Sequence, residues 1–120
     1  MIDPSHPLWK GRLSERVADT SAGAATETVE STAVPTGELW VVESILAYNA
    51  SSTVTRISLN AHDGTTAMML DLAASPTAYT PCKYHGELVL QAADKIQAVY
   101  VGNTNLDLLR FYIWGYKLYV

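Results

Sequence analysis

The last fifteen residues of the chain, 106–120, carry apolar or aromatic side chains on both faces of any strand that they form. A strand with one face in water alternates apolar with polar residues, because successive side chains point to opposite sides. Here one face would hold Leu108, Arg110, Tyr112, Trp114, Tyr116 and Leu118, and the other Leu109, Phe111, Ile113 and Tyr119. One face can fill the core of the domain. The other needs a different cover, which we expect to be another polypeptide.

From residue 12 onward the chain consists of period-two segments separated by turn residues, with almost no helical pattern. The predicted strands cover residues 12–19, for which a short helix is the alternative, and 25–34, 37–49, 54–62, 66–72, 84–91, 96–101 and 106–120. Their connections are too short for crossover helices, which argues against a parallel sheet. The sequence therefore predicts an all-β fold, an antiparallel β-sandwich of about eight strands, of jelly-roll or Greek-key type.

Two of these segments are especially informative. Residues 37–49 are apolar on both faces, like the last strand. Residues 54–62 alternate most clearly, with Ile57 and Leu59 on one side and Arg56 and Asn60 on the other. The dipeptide Asp63-Gly64 follows, and it predicts a tight hairpin turn into the next strand.

The length of 120 residues allows one domain. Pro4 and Pro7 favour extended backbone near the start of the chain, so residues 1–11 are predicted to form an extended N-terminal arm and residues 12–120 a single sandwich domain. Leu8 and Trp9 are large apolar residues in this arm. Trp9 is expected either to dock on a neighbouring subunit or, equally, to pack on its own domain.

The charge pattern argues against nucleic acid and membranes as partners. The net charge is −4, and the eight Lys and Arg residues are scattered rather than arranged in a stripe. No stretch has the apolar length of a membrane helix, and the N-terminus lacks the features of a signal peptide. We therefore expect the chain to be made and assembled in the cytoplasm.

The residues that commonly carry chemistry are dispersed. His6, His62 and His85 lie in three separate segments without a metal-ligand spacing, so no metal or other cofactor is predicted. Cys82 is the single cysteine, which excludes an intrachain disulfide. A nucleophilic pair of Cys82 with His85 would need a third, orienting group, and the sequence offers none.

Glu43 is the unusual acidic residue, because it interrupts the predicted apolar face of Leu39, Val41 and Ile45. It is expected to pair with Arg56 or Arg110 on a neighbouring strand. The alternative is a general acid in a small sandwich enzyme that also uses a histidine. Since the chain has no phosphate-binding loop and no nucleophile elbow, we predict that it is not an enzyme.

Aromatic residues concentrate near the C-terminus. The chain has three Trp, seven Tyr and one Phe, and five of these residues lie within 111–119. An aromatic row on a sheet can be a sugar-stacking platform or a subunit interface. The mixture with Leu and Ile favours the interface. The candidate interface residues are Leu8, Trp9, Trp40, Tyr112, Trp114, Tyr116 and Tyr119.

Two segments also resemble short virion structural proteins of tailed bacteriophages. The first is 37–52, in which a Gly and a Trp open a strand, Ser44-Ile45 follows, and Asn49 with small residues ends it before a hairpin. The second is 88–96, with an Ala93-Asp94 step before the next strand. Together they cover about a quarter of the chain.

The resemblance implies a jelly-roll-like capsid decoration (cement) protein, typically a homotrimer on the exterior of the virion head. Its partners would be copies of itself and the major capsid protein or other virion proteins, after assembly in the cytoplasm of the host bacterium. Tail, neck and baseplate proteins use the same module and are the first alternative. A carbohydrate-binding module that uses Tyr112, Trp114 and Tyr116 is the second.

Overall fold

The computed structural model describes residues 3–23 and 25–120. Within these ranges the chain forms eight β-strands and no helix. The strands are β1 (Trp9–Thr20), β2 (Thr26–Glu30), β3 (Glu38–Asn49), β4 (Arg56–His62), β5 (Ala67–Ala74), β6 (Cys82–Leu90), β7 (Lys95–Val101) and β8 (Leu108–Tyr119).

The strands form two four-stranded antiparallel sheets with the orders β1-β8-β3-β6 and β2-β7-β4-β5. Among the strands of the described ranges, β4 and β5 are the only consecutive pair within one sheet, and each other connection passes from one sheet to the other. This order is that of a jelly roll, in which Greek-key connections interleave two sheets. The all-β sandwich predicted from the sequence is confirmed.

The strand boundaries agree with the sequence pattern in most places, and two expectations are corrected. Residues 12–19 belong to strand β1, so the alternative of a short helix there is wrong. Strand β1 also begins at Trp9. Residues 9–11, which were predicted to belong to the N-terminal arm, therefore lie in this strand. The reason is that this segment pairs with β8, with Trp9 opposite Leu118 and a bulge at Lys10. Met1 and Ile2, the start of the predicted arm, lie outside the described residues.

The core lies between the two sheets and is built by the inward residues of the alternating strands. Ile57 and Leu59 of β4 are fully buried there, as the alternation predicts, and Arg56 on the opposite side is exposed. The largest buried side chains of the other strands are Trp40, Ile45, Ile96, Tyr100, Phe111, Leu109, Ile113 and Leu13.

The predicted hairpin between β4 and β5 is present, but the two central residues of its turn lie one position later than the Asp63-Gly64 dipeptide predicts. The amide of Asp63 donates to the carbonyl of Thr66 at 3.3 Å, so Gly64 and Thr65 are the central residues of the turn. Gly64 has a φ of +97°, which glycine adopts without strain. The Asp63 carboxylate accepts hydrogen bonds from the amides of Thr65 and Thr66, the local role in which turns favour Asp.

A β-bulge at Glu43 corrects the expected facing of strand β3. The pairing with both β6 and β8 shifts between Val42 and Ser44, so Glu43 is an extra residue there. The bulge reverses the alternation: Val42 and Ile45 both point into the core, and the face predicted through residues 39, 41, 43 and 45 does not exist. In the described residues Glu43 makes no ion pair, and neither Arg56 nor Arg110 pairs with it.

Candidate functional site

The outer side of the β1-β8-β3-β6 sheet carries a continuous group of apolar and aromatic side chains, with Arg12, Arg16 and Arg110 beside them. We call this surface the aromatic face, and its members are Trp9 on β1, Leu39, Val41, Leu46 and Tyr48 on β3, and Tyr112, Trp114, Tyr116 and Leu118 on β8. They lie side by side because Val41 pairs with Tyr116 and Leu46 with Tyr112 across the two central strands. The two-faced character of β3 and β8 in the sequence therefore produces one continuous surface.

The outer side of the other sheet has a different composition. Strand β4 presents Arg56, Ser58, Asn60 and His62 there, opposite the inward Ile57 and Leu59. The neighbouring positions on β2 and β7 include Thr28, Glu30, Lys95 and Gln97, and Gln97 Nε2 donates to Glu30 at 2.6 Å. Strand β4 thus has the polar outer side of a solvated strand, although Met69 and Leu72 on its neighbour β5 are exposed apolar residues on the same side.

At one end of the aromatic face, other side chains of the same chain cover a small apolar cluster. Val41, Tyr116 and Leu118 are at most 8% exposed, and Trp9 and Leu39 pack over them. The ring of Trp9 stacks on that of Tyr116, with centroids 5.6 Å apart and planes at 20°. The Tyr116 hydroxyl donates a hydrogen bond to Glu87 on β6 at 3.3 Å. Trp9 therefore packs on its own domain, one of the two outcomes expected for it.

Beyond this cluster, three rings of the aromatic face and the ring of Tyr79 beside them form an open row of four. Tyr79, in the β5–β6 loop, lies 5.8 Å from Tyr48, which lies 6.2 Å from Tyr112, which in turn lies 5.7 Å from Trp114. Trp114 is 36% exposed and Tyr79 is 68% exposed. Tyr79 has a φ of +67°, which is uncommon for a bulky residue. Its amide donates to the Asn49 carbonyl at 2.8 Å, which fixes the loop beside the sheet.

The remaining candidates differ in their placement. Leu8 is 47% exposed, and its carbonyl accepts the amide of Tyr119 at 2.8 Å, so both residues lie at one end of strands β1 and β8, next to Trp9. Tyr119 is 51% exposed, with Lys10 Nζ 5.7 Å from its ring centroid. These two residues are accessible.

Trp40 is a correction to the candidate set. It is 2% exposed and points into the core, because β3 positions 40 and 42 face inward before the bulge. Its Nε1 donates to Glu38 at 3.0 Å, and Lys117 Nζ lies 4.9 Å from its ring centroid. Glu38 also accepts a hydrogen bond from Lys10, and the bonds from Lys10 and Trp40 lower the pKa of this carboxyl. Trp40 is thus a core residue with a polar anchor and not part of an accessible interface.

The structure does not bring together the side chains that were weighed as a nucleophilic pair or as metal ligands. Cys82 is buried, and burial raises the pKa of its thiol to about 11, whereas His85 on the same strand is exposed. No group of three His, Cys, Asp or Glu residues could hold a metal ion in ranges 3–23 and 25–120. Those ranges also contain no helix long and apolar enough to cross a membrane.

One cavity of about 330 Å³ opens at the end of the sandwich near the β4–β5 turn. Its walls are mainly apolar and include Met68, Leu88 and Leu90, and Asp63 and Asp94 lie at its margin. No sequence pattern indicates this cavity, because its lining comes from both sheets. No pattern indicates Tyr79 either, since only the folded chain brings this loop residue to the aromatic row.

Comparisons with known proteins identify no family. No protein-family model matches the chain, and no curated protein matches it. Among solved structures, the chain is similar to the Drosophila NLP core (12% identity, 90% of this chain and 98% of that chain, TM-score 0.43) and to the virus-like particle of the extra small virus of the giant freshwater prawn Macrobrachium rosenbergii (13%, 94% and 86%, TM-score 0.39). It is also similar to the Eiger TNF of S. frugiperda (9%, 86% and 92%, TM-score 0.32). At these scores the likenesses carry no conclusion about function.

Proposed function

We propose that this protein is a non-enzymatic structural protein that assembles with copies of itself through the aromatic face. The observation that carries the proposal is the row of four partly exposed aromatic rings, Tyr79, Tyr48, Tyr112 and Trp114, on the outer side of the β1-β8-β3-β6 sheet. Tyr and Trp are enriched at subunit interfaces, where they bury large areas at low entropic cost.

The apolar area that such an assembly must bury is that of an ordinary subunit interface. Burial of apolar surface contributes roughly 25 cal/mol per Å², and specific interfaces bury on the order of 1,200 to 2,000 Å² in total. A second copy seated over Tyr48, Tyr112 and Trp114 would cover the rings that the chain itself leaves open. We propose a homotrimer, the state that the resemblance to phage decoration proteins implies.

The proposed place of this oligomer is the virion of a tailed bacteriophage, on the exterior of the head. The support is the resemblance of segments 37–52 and 88–96, together with a small all-β domain that carries a large apolar outer face. A position in the tail, neck or baseplate is the alternative within the same class. Electron microscopy of the intact particle at side-chain resolution would distinguish these positions and would contradict the proposal if the protein were absent.

A sugar-binding role has weaker support. The predicted platform of Tyr112, Trp114 and Tyr116 is interrupted, because Tyr116 lies beneath Trp9 and is 3% exposed. The rings of Tyr112 and Trp114 are inclined at 40°, so they do not form one flat surface on which a sugar could stack. Binding on a glycan array with quenching of Trp114 fluorescence would favour this role over assembly.

The oligomeric state tests the proposal directly. Sedimentation of the wild type at micromolar concentration should give a mass several times that of the 13.1 kDa chain. Trp114→Asp should dissociate it, because a charge would replace an exposed ring of the row. Leu106→Asp is the matched control: Leu106 is 68% exposed but lies in the β7–β8 loop, outside the strands that carry the aromatic face. A monomeric wild type would overturn the proposal.

A further inference from the structure

The cavity of about 330 Å³ near the β4–β5 turn is a gap in the packing between the two sheets. On one side Ala61 and Met68 pair with each other, and Ala61 also pairs with the buried core residue Ile96, so both point inward. On the other side lie Leu88 and Leu90 of β6, which also face the core. The gap lies where the edge strands β5 and β6 face each other, and Met68, although it points inward, is 58% exposed there.

The cavity has the size and the lining of a site for a small molecule. Ligand pockets in proteins usually range from about 300 to 1,000 Å³ and have mainly apolar walls with a few polar groups. The core is closed elsewhere, since Ile96 and Phe111 are fully buried, whereas Met68 and Leu88 at the cavity are not. An apolar guest would therefore complete the core at this end and remove apolar surface from water.

Two carboxylates stand at the mouth of the cavity, and the turns that contain them hold them in position. Asp63 Oδ1 accepts hydrogen bonds from the amides of Thr66 and Thr65, which lower the pKa of this carboxyl, so it is charged at neutral pH. Asp94 Oδ2 accepts the amide of Gln91 at 2.9 Å. In ranges 3–23 and 25–120 no other residue donates to the second oxygen of either carboxylate.

No cation of the described residues neutralises this mouth. No Lys or Arg among them lines the cavity. Lys95 follows Asp94 directly, but it lies on the outer side of its sheet, where its Nζ is 2.9 Å from the carboxylate of Glu30. His62, at the margin, pairs with Lys95 in the register, and its Nδ1 accepts the amide of Gly64. An apolar interior with a negative mouth disfavours fatty acids and other anions and attracts cations.

We propose that this cavity binds small aliphatic amines in their ammonium form, with the alkyl chain between Met68 and Leu88 and the ammonium group at Asp63 and Asp94. The charged group stays at the mouth, in contact with water, so binding does not require the burial of a charge. The cavity lies between the sheets, and the aromatic face lies on the outer side of one of them. The amine site therefore does not depend on the proposed assembly.

Titration of the wild type with three compounds of equal chain length tests the class of ligand. Hexylammonium, hexanol and hexanoate share the alkyl chain and differ in charge, and they are compared at equal ionic strength. Hexylammonium should bind about tenfold more tightly than hexanol, and hexanoate should bind most weakly, because of the two carboxylates. NMR shifts of the methyl groups of Met68, Leu88 and Leu90 report binding in the cavity.

Two neighbouring methionines provide a matched pair of variants. Met68→Lys places a four-carbon stem and an ammonium group of the chain itself in the cavity, so it should abolish the binding of hexylammonium. Met69→Lys adds the same charge, but Met69 pairs with Asn60 and faces the other side of β5, so binding should persist. Both methionines are more than half exposed, so both variants should fold, and circular dichroism checks this.

A second set of variants removes the charge and keeps the turns. Asp63→Asn combined with Asp94→Asn retains the hydrogen bonds to the turn amides through the side-chain oxygens. This double variant should bind hexylammonium only as weakly as it binds hexanol. Asp19→Asn combined with Glu27→Gln is the control, because it removes the same charge from β1 and β2, on the opposite side of the sandwich. Its binding should equal that of the wild type.

Any of four results would overturn the amine site. Equal binding of the three compounds would show that the aspartates do not select a charge. Shifts of the Trp114 indole without shifts of the Met68 methyl would place the ammonium on the aromatic rings instead. Binding that survives Met68→Lys would place it outside the cavity. The absence of any shift with hexylammonium would leave the cavity without this ligand. The oligomeric state is measured separately, so these results leave the proposed function unaffected.

Discussion

The indole ring of Trp9 lies nearly parallel to the phenol ring of Tyr116, with their centroids 5.6 Å apart. The contact joins the first residue of the first strand to the last strand, and it closes the small cluster of Val41, Tyr116 and Leu118 outside the main core. The aromatic face therefore has one part that the chain covers by itself and one part, around Trp114, that it leaves open.

Replacing Trp9 with Ala should lower the free energy of unfolding by about 1–2 kcal/mol, since an aromatic pair and its half-buried area are lost. Trp9→Phe is the control, because a smaller ring still covers Tyr116, and it should lose less than half as much. Urea denaturation monitored by circular dichroism measures both. Equal losses in the two variants would show that ring stacking at this position contributes little.

Gly115 is required by a close approach of backbones. A Cβ atom at this position would collide with the carbonyl oxygen of Val41 on the neighbouring strand, next to the bulge in β3. Gly115→Ala should therefore destabilise the fold by about 1–3 kcal/mol or more, as overpacking does. Gly11→Ala is the matched control in strand β1, where a Cβ meets nothing within 4 Å. Thermal unfolding of the pair would refute the account if both behaved alike.

Asp107 should make the protein sensitive to acid. Burial disfavours its charged form, but hydrogen bonds from the Ser52 hydroxyl (2.6 Å), the Thr104 amide (2.8 Å) and Asn49 Nδ2 (2.9 Å) together outweigh this cost and lower its pKa. A carboxyl whose pKa is lowered by folding stabilises the native state above its unfolded pKa of about 3.9. That contribution is lost as the pH falls through the native value.

The stability of the wild type should thus fall below about pH 4 more steeply than that of Asp107→Asn. Asp107→Ala should cost about 2–3 kcal/mol at neutral pH, because it leaves buried donors without an acceptor. Urea denaturation between pH 2.5 and 7 measures these differences. Parallel stability curves for the wild type and Asp107→Asn would contradict the role given to this carboxylate.

Cys82 should be unreactive in the folded protein. It is 2% exposed, and burial, with a smaller effect of Asp71, raises the pKa of its thiol to about 11. At pH 8 only about one thiol in a thousand would then be ionised, and the thiolate is the nucleophile. Ellman's reagent should react at the rate of global unfolding, and at once in denaturing guanidinium chloride. Rapid reaction of the native protein would show that β6 opens locally.

Much of the fold follows from local pattern. The alternation in residues 54–62 and the Asp63-Gly64 signal predict β4 and its hairpin, because one face of that strand is buried and the other is wet. The pairing of the other strands was not predictable, since their partners are distant in the sequence. The bulge at Glu43 was also hidden, because an extra residue in β3 changes which side chains face the core only when β6 and β8 pair around it.

The sequence predicted the kind of candidate site, an aromatic face on a sheet, but not all of the residues that form it. Tyr112, Trp114 and Tyr116 share one outer face, as their spacing in one strand requires, and Tyr48 is their neighbour because β3 pairs with β8. Trp40 lies in the core because its register position faces inward, and Tyr79 enters the row from a loop. Residue type alone does not distinguish these cases.

The sequence by itself determined that the chain is an antiparallel β-sandwich and that two of its strands are apolar on both sides, because side-chain alternation is a property of each strand alone. The tertiary structure decided that these two strands are neighbours in one sheet, that Trp9 covers one end of their outer face, and that β5 is an apolar edge. Those relationships depend on strand order and register, which arise from contacts between segments far apart in the chain.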